Sequence, residues 1–543
     1  MASLSRKLLS PAALVDKLAA EVPHNVWVKT AASSGEGPVV WQDITWIKLR
    51  KAVDSMASWM ENELGAGDGD EPVAYFGVSD IRASIVIMAA LKAGYKSFLI
   101  SPKNTQESAM ALVKAARYEH GCTKLIFTAE LRARADEATE AVSLQKISRV
   151  PELDQLLATP DEVAYESRGN DHMRDDETVL ILHSSGTTGV PKLVYMKAGV
   201  LRVATESTSM PAPDGRRNTH NEVYSTKLLL TAIPFLNAYG ATHLVRSLYF
   251  QAPVALTPTP APLLDAIANL QPTAAACTPN ILEAICDLPG GLEALSKLDH
   301  VIYGGYPLTK ACGDKIARVT RLVNSVGSTE TFNLPTLLPA PDSDPADWEY
   351  LEWNPHAGIV MEPALGDDDG QGMAELVIHR QAGNEYQSVF HNFPDLSEWR
   401  TNDLYERHPS KAGLWKCLGR MNDLIVLSSG EKMIPVMFER AVARHPWVGG
   451  VLVVGAGHVR AGLIIEPHPE RAQLGVERFV DEVWPCVEEA NGQCPAHVRV
   501  ERSMICLATP GKPFKRVPKG LVMRKAMYGL YEEEIKRMYD GAM

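Results

Sequence analysis

The stretch Thr178-Val179-Leu180-Ile181-Leu182-His183-Ser184-Ser185-Gly186-Thr187-Thr188-Gly189-Val190-Pro191-Lys192 joins an unbroken apolar run to a loop of hydroxyls and glycines. The apolar run shows no alternation, the pattern of a strand buried on both faces, as in layered α/β proteins. In the loop, backbone N–H groups, the hydroxyls of Ser184, Ser185, Thr187 and Thr188, the flexibility of Gly186 and Gly189, and Lys192 fall within one short segment. Those are the groups that bind a polyphosphate. A Walker loop is excluded, because it needs Gly-Lys-Ser/Thr opening a helix, whereas Pro191 and the LVYM that follows Lys192 predict another strand. A polar β-turn is the plain alternative, and the Pro-Lys ending favours phosphate binding over it.

Working outward, VAYF (73–76), an apolar stretch from Ile81 to Ala93, Gly94 and SFLI (97–100) read as strand, helix, glycine stop and strand, a βαβ unit. Upstream, Leu49, Val53, Met56 and Met60 recur at helical spacing behind Thr45, a candidate N-cap. KLIFT (124–128) adds a further buried strand. Pro and Gly concentrate near 335–372, predicting loops that join a β-rich subdomain whose next strand is ELVIH (375–379). After GRMND (419–423) the pattern changes to short strands and helices. The expectation is an α/β protein: a large layered domain over 1–420 with a β-rich subdomain, and a small mobile α+β domain over 421–543. The helix that ends the chain carries Met527, Tyr531, Ile535 and Met538 at helical spacing.

Composition sets the boundaries of function. A chain of 543 residues needs more than one folding unit. The net charge of −12 argues against nucleic acid and against a polybasic membrane anchor. No stretch reaches the 18 or so apolar residues of a membrane span, and the amino terminus lacks a signal-type apolar core, so a cytoplasmic protein is expected. The eight cysteines show no CxxC or His/Cys ligand spacing, so reduced thiols are expected rather than zinc or a disulfide framework.

The loop resembles the phosphate signature of the adenylate-forming superfamily of acyl-CoA synthetases, luciferases and peptide-synthetase adenylation domains. YGGYPL (303–308), NSVGSTE (324–330), RTND (400–403), GR (419–420) and a basic segment near 512–525 follow in that superfamily's order. LILHSSGTTG, EYLEWNPHAGIVMEP, LIVLSSGEKMIP and VPKGLVMRKAMYGLYEEEI look most like the adenylation domain of fungal peptide-synthetase-like carboxylic acid reductases.

The resemblance implies ATP and Mg2+ as cofactors and assigns roles. Ser184, Ser185, Gly186, Thr187, Thr188, Gly189 and Lys192 would hold the phosphates. Asn324, Ser325, Val326, Gly327 and Thr329 would line the nucleotide site. Glu330, with Thr187, would hold magnesium, since a hard cation wants oxygen ligands. Asp403 would accept hydrogen bonds from both ribose hydroxyls, and Arg420 would contact ribose or phosphate. Lys519 would be the mobile lysine bridging the substrate carboxylate and the α-phosphate, with Lys515 as second choice. Lys512 and Lys525, by contrast, read as solvated basic residues. The acid would meet His183, Asn237, Tyr239, Gly304 and Val326.

Several positions depart from the superfamily pattern. Val326 stands where an aromatic residue commonly packs on adenine, Thr401-Asn402-Asp403 replaces Thr-Gly-Asp, and Pro518-Lys519-Gly520 inverts the usual glycine–lysine order. The hinge falls on Asn422, with Asp423 as the alternative. Asn237 occupies the region where amino-acid-activating relatives place an aspartate, which points to an aryl or other non-amino acid. A quaternary ammonium acid held by an aromatic such as Tyr239 stays possible.

The expected reaction is activation of a small carboxylic acid as acyl-AMP with release of pyrophosphate. Transfer to the phosphopantetheine thiol of a thiolation domain would follow, then reduction by domains expected to lie outside this stretch. The alternatives are a free-standing acyl- or aryl-CoA ligase, with coenzyme A as acceptor, and a nucleotide-binding module without catalysis.

Overall fold

The computed structural model describes residues 7–32, 39–140, 142–160, 163–184, 191–213, 215–233, 235–257, 260–340, 343–364, 373–492, 494, 496–516 and 522–540. The apolar run that opens the phosphate-loop motif forms the strand Thr178–Ser184, and the strand Lys192–Lys197 returns antiparallel to it, pairing Lys192 with Ser184. These two complete a six-stranded sheet with Lys96–Ile100, Pro72–Phe76, Lys124–Phe127 and Lys146–Arg149, all parallel apart from the returning strand. The βαβ unit is as expected: the helix Arg82–Ala93 ends at Gly94, whose φ of +82° suits glycine at a helix stop. Every residue of that helix is buried, which is why its sequence is apolar on all sides. The charged exceptions are Arg82, paired with Asp80 and Glu130 at 2.8 and 2.9 Å, and Lys92, whose ammonium is held 2.6 Å from both Asp16 and Asp54.

A second sheet of seven strands runs in the order Arg321–Ser325, His300–Gly304, Ala274–Cys277, Leu229–Thr231, Val254–Leu256, Val26–Ala32 and Val40–Thr45. Only the last pair is antiparallel. The β-rich subdomain is a six-stranded antiparallel sheet ordered Thr336–Leu337, Tyr350–Trp353, Leu414–Arg420, Glu398–Arg407, Met373–His379 and Ile359–Pro363.

Past Arg420 a separate core forms around Val448–Val454, Gly462–Pro467 and Ile505–Leu507, covered by the helices Pro435–Ala443 and Val476–Gly492. Two expectations change here. LIVLS contributes only the short strand Ile425–Val426, and the terminal helix is two helices, Arg524–Leu530 and Glu532–Asp540, broken at Tyr531. Tyr531 is fully buried against Met527, and its hydroxyl donates to the Lys512 carbonyl. Anchoring that side chain, with weak helix formation at Gly529, outweighs continuity of the helix. Thr45 does sit at the N-cap of the helix Trp46–Leu64, but its side chain makes no cap hydrogen bond.

Candidate active site

In open parallel sheets, ligands bind beyond the carboxyl ends of the strands. At that end of the seven-stranded sheet, Gly304 and Ser325 close adjacent strands and are register partners. A Cβ at position 304 would lie 2.4 Å from the Ser325 carbonyl oxygen and 3.4 Å from Cε1 of Tyr239. Glycine is therefore required here by close approach, and Tyr239, Gly304 and Ser325 are brought together. Asn237 is exposed, and its side-chain oxygen accepts from the Gly240 N–H at 2.9 Å, capping the helix Ala238–Tyr249.

One turn along that helix lies His243, which the sequence reading did not single out. Its ring is 5.3 Å from that of Tyr239. The Tyr239 hydroxyl and both His243 ring nitrogens are buried without a partner among the described residues. Burial lowers the His243 pKa to about 3 and raises that of Tyr239. An unpaired buried polar atom is costly, and these three lie on one helix, with the Tyr239 ring the part that reaches Gly304. The signal was available in the sequence as the i, i+4 spacing of Tyr239 and His243.

His183 is tied elsewhere. Its Nε2 accepts from the Ser101 N–H at 3.3 Å and the Asn104 side-chain amide at 3.2 Å, on the turn after Lys96–Ile100. Desolvation pushes its pKa down to about 4, so the ring is neutral at pH 7. These contacts of Nε2 brace the end of the strand, while Nδ1 is buried without a partner among the described residues. Ser184 closes that strand and Lys192 is exposed on the returning one. Ser185, Gly186, Thr187, Thr188 and Gly189 lie outside the described residues.

The turn bearing Thr329 and Glu330 is built by its neighbours. Ser328 and Thr331 exchange hydrogen bonds between backbone N–H and hydroxyl at 3.0 and 3.1 Å. A Cβ at Gly327 would strike the Phe332 carbonyl at 2.1 Å, and Phe332 itself is held at φ +56°, a strained conformation for a bulky residue. Asn392 accepts from the Lys197 N–H at 3.1 Å and donates to the Glu330 carbonyl at 3.0 Å, so one amide fixes this turn to the returning strand. Among the described residues, no cation or hydrogen-bond donor engages the Glu330 carboxylate, which is partly exposed. Asn324 and Ser325 complete the strand leading in. Val326 packs, partly buried, against the subdomain core that includes Leu334, Leu376 and Phe390.

Asp403 and Arg420 are register partners on adjacent antiparallel strands, with the arginine Nε 3.1 Å from the aspartate Oδ1. Asn402 takes φ +58°, the conformation glycine adopts freely, and Asn tolerates it better than most residues. Thr401 accepts from the Asp403 N–H at 3.1 Å, fixing the carboxylate's root.

Past Arg420, Met421–Asp423 forms a single 3-10 turn. Asp423 faces Arg524 at 3.8 Å, and Arg524 also holds the buried Glu439 at 2.8 Å. Asn422 lies in the same turn with no such partner among the described residues. Lys519 lies outside the described residues, while its flanks Arg516 and Val522 pair as an antiparallel bridge. Lys515 reaches to 3.8 Å from Glu107 of the large domain, and Lys512 is bound 2.7 Å from Glu534, a structural role. Arg440 of the small domain stacks over Tyr306 at 4.8 Å and pairs with Glu283, so the two domains meet beside YGGYPL.

Known proteins bear on this arrangement. The profile described as AMP-binding enzyme matches residues 22–375, and that described as AMP-binding enzyme C-terminal domain matches residues 422–543. The chain belongs to this family of adenylate-forming enzymes. It is 30% identical over 553 residues to the carboxylic acid reductase of Neurospora crassa, covering 97% of this chain and 50% of that protein. It is 29% identical over 527 residues to the adenylate-forming reductase Nps10 of Heterobasidion annosum, covering 91% and 47%. The chain thus spans about half the length of these curated relatives. Its fold is shared with the O-succinylbenzoate coenzyme A synthetase of Bacillus subtilis in complex with ATP and magnesium ion. The TM-score is 0.69 at 17% identity, over 96% of this chain and 99% of that one. The resemblance drawn from the motifs is borne out.

Proposed function

We propose that the chain activates a carboxylic acid, aryl or otherwise lacking an α-amino group, as its acyl-AMP at the expense of ATP. The observation that carries this reading is the Asp403–Arg420 pair: a carboxylate fixed at its root, partly exposed, and placed where the large domain passes into the small one. Two ribose hydroxyls need one such acceptor, held still. The solved synthetase with ATP and magnesium supports the same choice of nucleotide and ion.

Glu330 fits a divalent cation, being a partly exposed carboxylate on a rigid turn with no cation beside it among the described residues. Magnesium bound there would supply charge neutralisation of the polyphosphate. The protein's own part is positioning. Ser184 through Lys192 cradle the β- and γ-phosphates. Asp403 fixes the ribose, and Arg420 orients Asp403. Lys519 offsets the charge of two anions as the substrate carboxylate attacks the α-phosphate and pyrophosphate departs. The Tyr239 face and Gly304 form the acid's wall. The division falls at 420/421, with Asn422 or Asp423 as pivot.

The acceptor we infer is the phosphopantetheine thiol of a carrier domain, as the motif resemblance to the adenylation domains of carboxylic acid reductases implies. ATP–pyrophosphate exchange over a panel of aromatic, aliphatic, amino and betaine-like acids tests the reaction, and exchange with none of them would defeat it. Formation of acyl-CoA at a rate matching exchange would instead make the chain a coenzyme A ligase.

A further inference from the structure

The helices Pro279–Asp287 and Lys310–Ala317 lie side by side behind the acid's wall and carry two matched rungs. In the first, Glu283 accepts from the Thr309 hydroxyl at 2.8 Å. Three residues further along each chain, Cys286 and Cys312 bring their sulfurs to 2.9 Å. Both are free thiols, Cys312 buried and Cys286 partly exposed. Two sulfurs this close, on helices already fixed by a neighbouring rung, need little backbone movement to bond.

We propose that Cys286 and Cys312 form a thiol–disulfide exchange site that takes a low-molecular-weight disulfide as its oxidant. The partly exposed Cys286 thiolate attacks one sulfur of the incoming disulfide and expels the other half as a thiolate. Cys312 then loses its proton to solvent and attacks the Cys286 sulfur, expelling the second half. One protein S–S bond forms, two protein S–H bonds are lost, and the small disulfide is reduced to two thiols.

The direction of attack follows from the surroundings. The Cys312 S–H donates to the Cys286 sulfur and Lys315 adds positive charge, which together hold the Cys286 thiol below its ordinary pKa. Cys312 is correspondingly raised, by that same hydrogen bond and by burial. Exchange begins at the thiolate with access. The product would replace a rung between two helices, the first of which carries Asn280, whose side chain and N–H both meet the Tyr306 hydroxyl, at 2.9 and 3.1 Å. Oxidation would therefore staple the scaffold under that wall, and a cross-link that constrains the unfolded chain raises its thermal midpoint.

The experiment incubates the whole chain, folded, with glutathione disulfide, then quenches, unfolds and alkylates it. Of the eight cysteines, six should be alkylated, with Cys286 and Cys312 recovered as one linked peptide and the thermal midpoint shifted upward and restored by dithiothreitol. Cys312→Ser should instead retain a single glutathione adduct on Cys286, and Cys286→Ser should be left without either product at Cys312. Alkylation of all eight cysteines in the treated wild type, or closure of another pair first, would overturn the proposal. So would an adduct on Cys286 that persists while Cys312 stays reduced.

Discussion

Asp403 and Arg420 face each other across two antiparallel strands, Nε to Oδ1 at 3.1 Å, with Arg420 the last residue of its strand. The carboxylate proposed to bind the ribose is thereby oriented by Arg420, at the end of its strand. Hydrogen bonds to a charged group contribute about 1.5–3 kcal/mol each. Asp403→Ala should therefore raise the ATP KM in pyrophosphate exchange by about 100-fold, and Asp403→Asn, which keeps one acceptor, by about 10-fold. Arg420→Ala should cost less than Asp403→Ala, because it frees the carboxylate without removing it. A normal ATP KM in Asp403→Ala would place the ribose elsewhere.

Lys519→Ala should lower the exchange rate by about 100-fold or more while changing ATP affinity little, because the lysine acts on charge that develops in the transition state. Lys512→Ala, which breaks the contact with Glu534, should show the reverse: a lower thermal midpoint with exchange nearly intact. If Lys515→Ala gives the large loss and Lys519→Ala does not, the mobile lysine is Lys515.

Tyr239→Phe removes a buried hydroxyl that has no partner among the described residues. Removing an unsatisfied group is stabilising by about 1 kcal/mol, so the unliganded variant should melt higher than the wild type. For an acid bearing a polar substituent that reaches this hydroxyl, the same change should raise KM with kcat little altered, the signature of lost ground-state binding. A lower midpoint would show that the hydroxyl has a partner after all.

Acidification should unfold the protein through its buried histidines. His220 and His243 are held neutral by burial, with pKa values of about 4 and about 3. In the unfolded chain each titrates near 6.5. Between those values the unfolded state binds more protons, so the stability each contributes is complete above about pH 6.5 and is lost as pH falls through that window. At pH 5 the loss is about 2 kcal/mol per histidine. Urea midpoints measured from pH 7.5 to 5 should fall accordingly, and His220→Phe should make the decline shallower. An unchanged slope in that variant would mean that His220 is protonated in the fold.

The parts of this fold that could be read from sequence are those dictated by local pattern. The run Val179 to Leu182 has to be a strand buried on both faces, and Gly94 has to stop a helix. Asp403 and Glu330 could be singled out as candidates because their motifs occur in the order of the family. What pattern could not supply was contact between distant residues. Asn392 lies 62 residues from Glu330 and 195 from Lys197, and nothing in its own neighbourhood shows that one amide serves both. The same applies to Arg440 over Tyr306. His183 is a further case: its place in the motif says nothing of the donors Ser101 and Asn104 that its Nε2 meets from 82 and 79 residues away. Nor could helical spacing alone reveal that Tyr531 would interrupt the terminal helix to bury its ring.

Gly304 limits how the enzyme's selectivity can be redesigned. With the Ser325 carbonyl 2.4 Å from where its Cβ would sit, this position cannot be used to shrink the compartment proposed for the acid, since any side chain would have to force two parallel strands apart. Variation in the size or polarity of accepted acids must therefore be sought beside Gly304 on the same wall, where a helix face can exchange side chains without disturbing the sheet. Libraries built on positions 239 and 243 would explore selectivity, whereas libraries that include position 304 would chiefly collect unfolded protein.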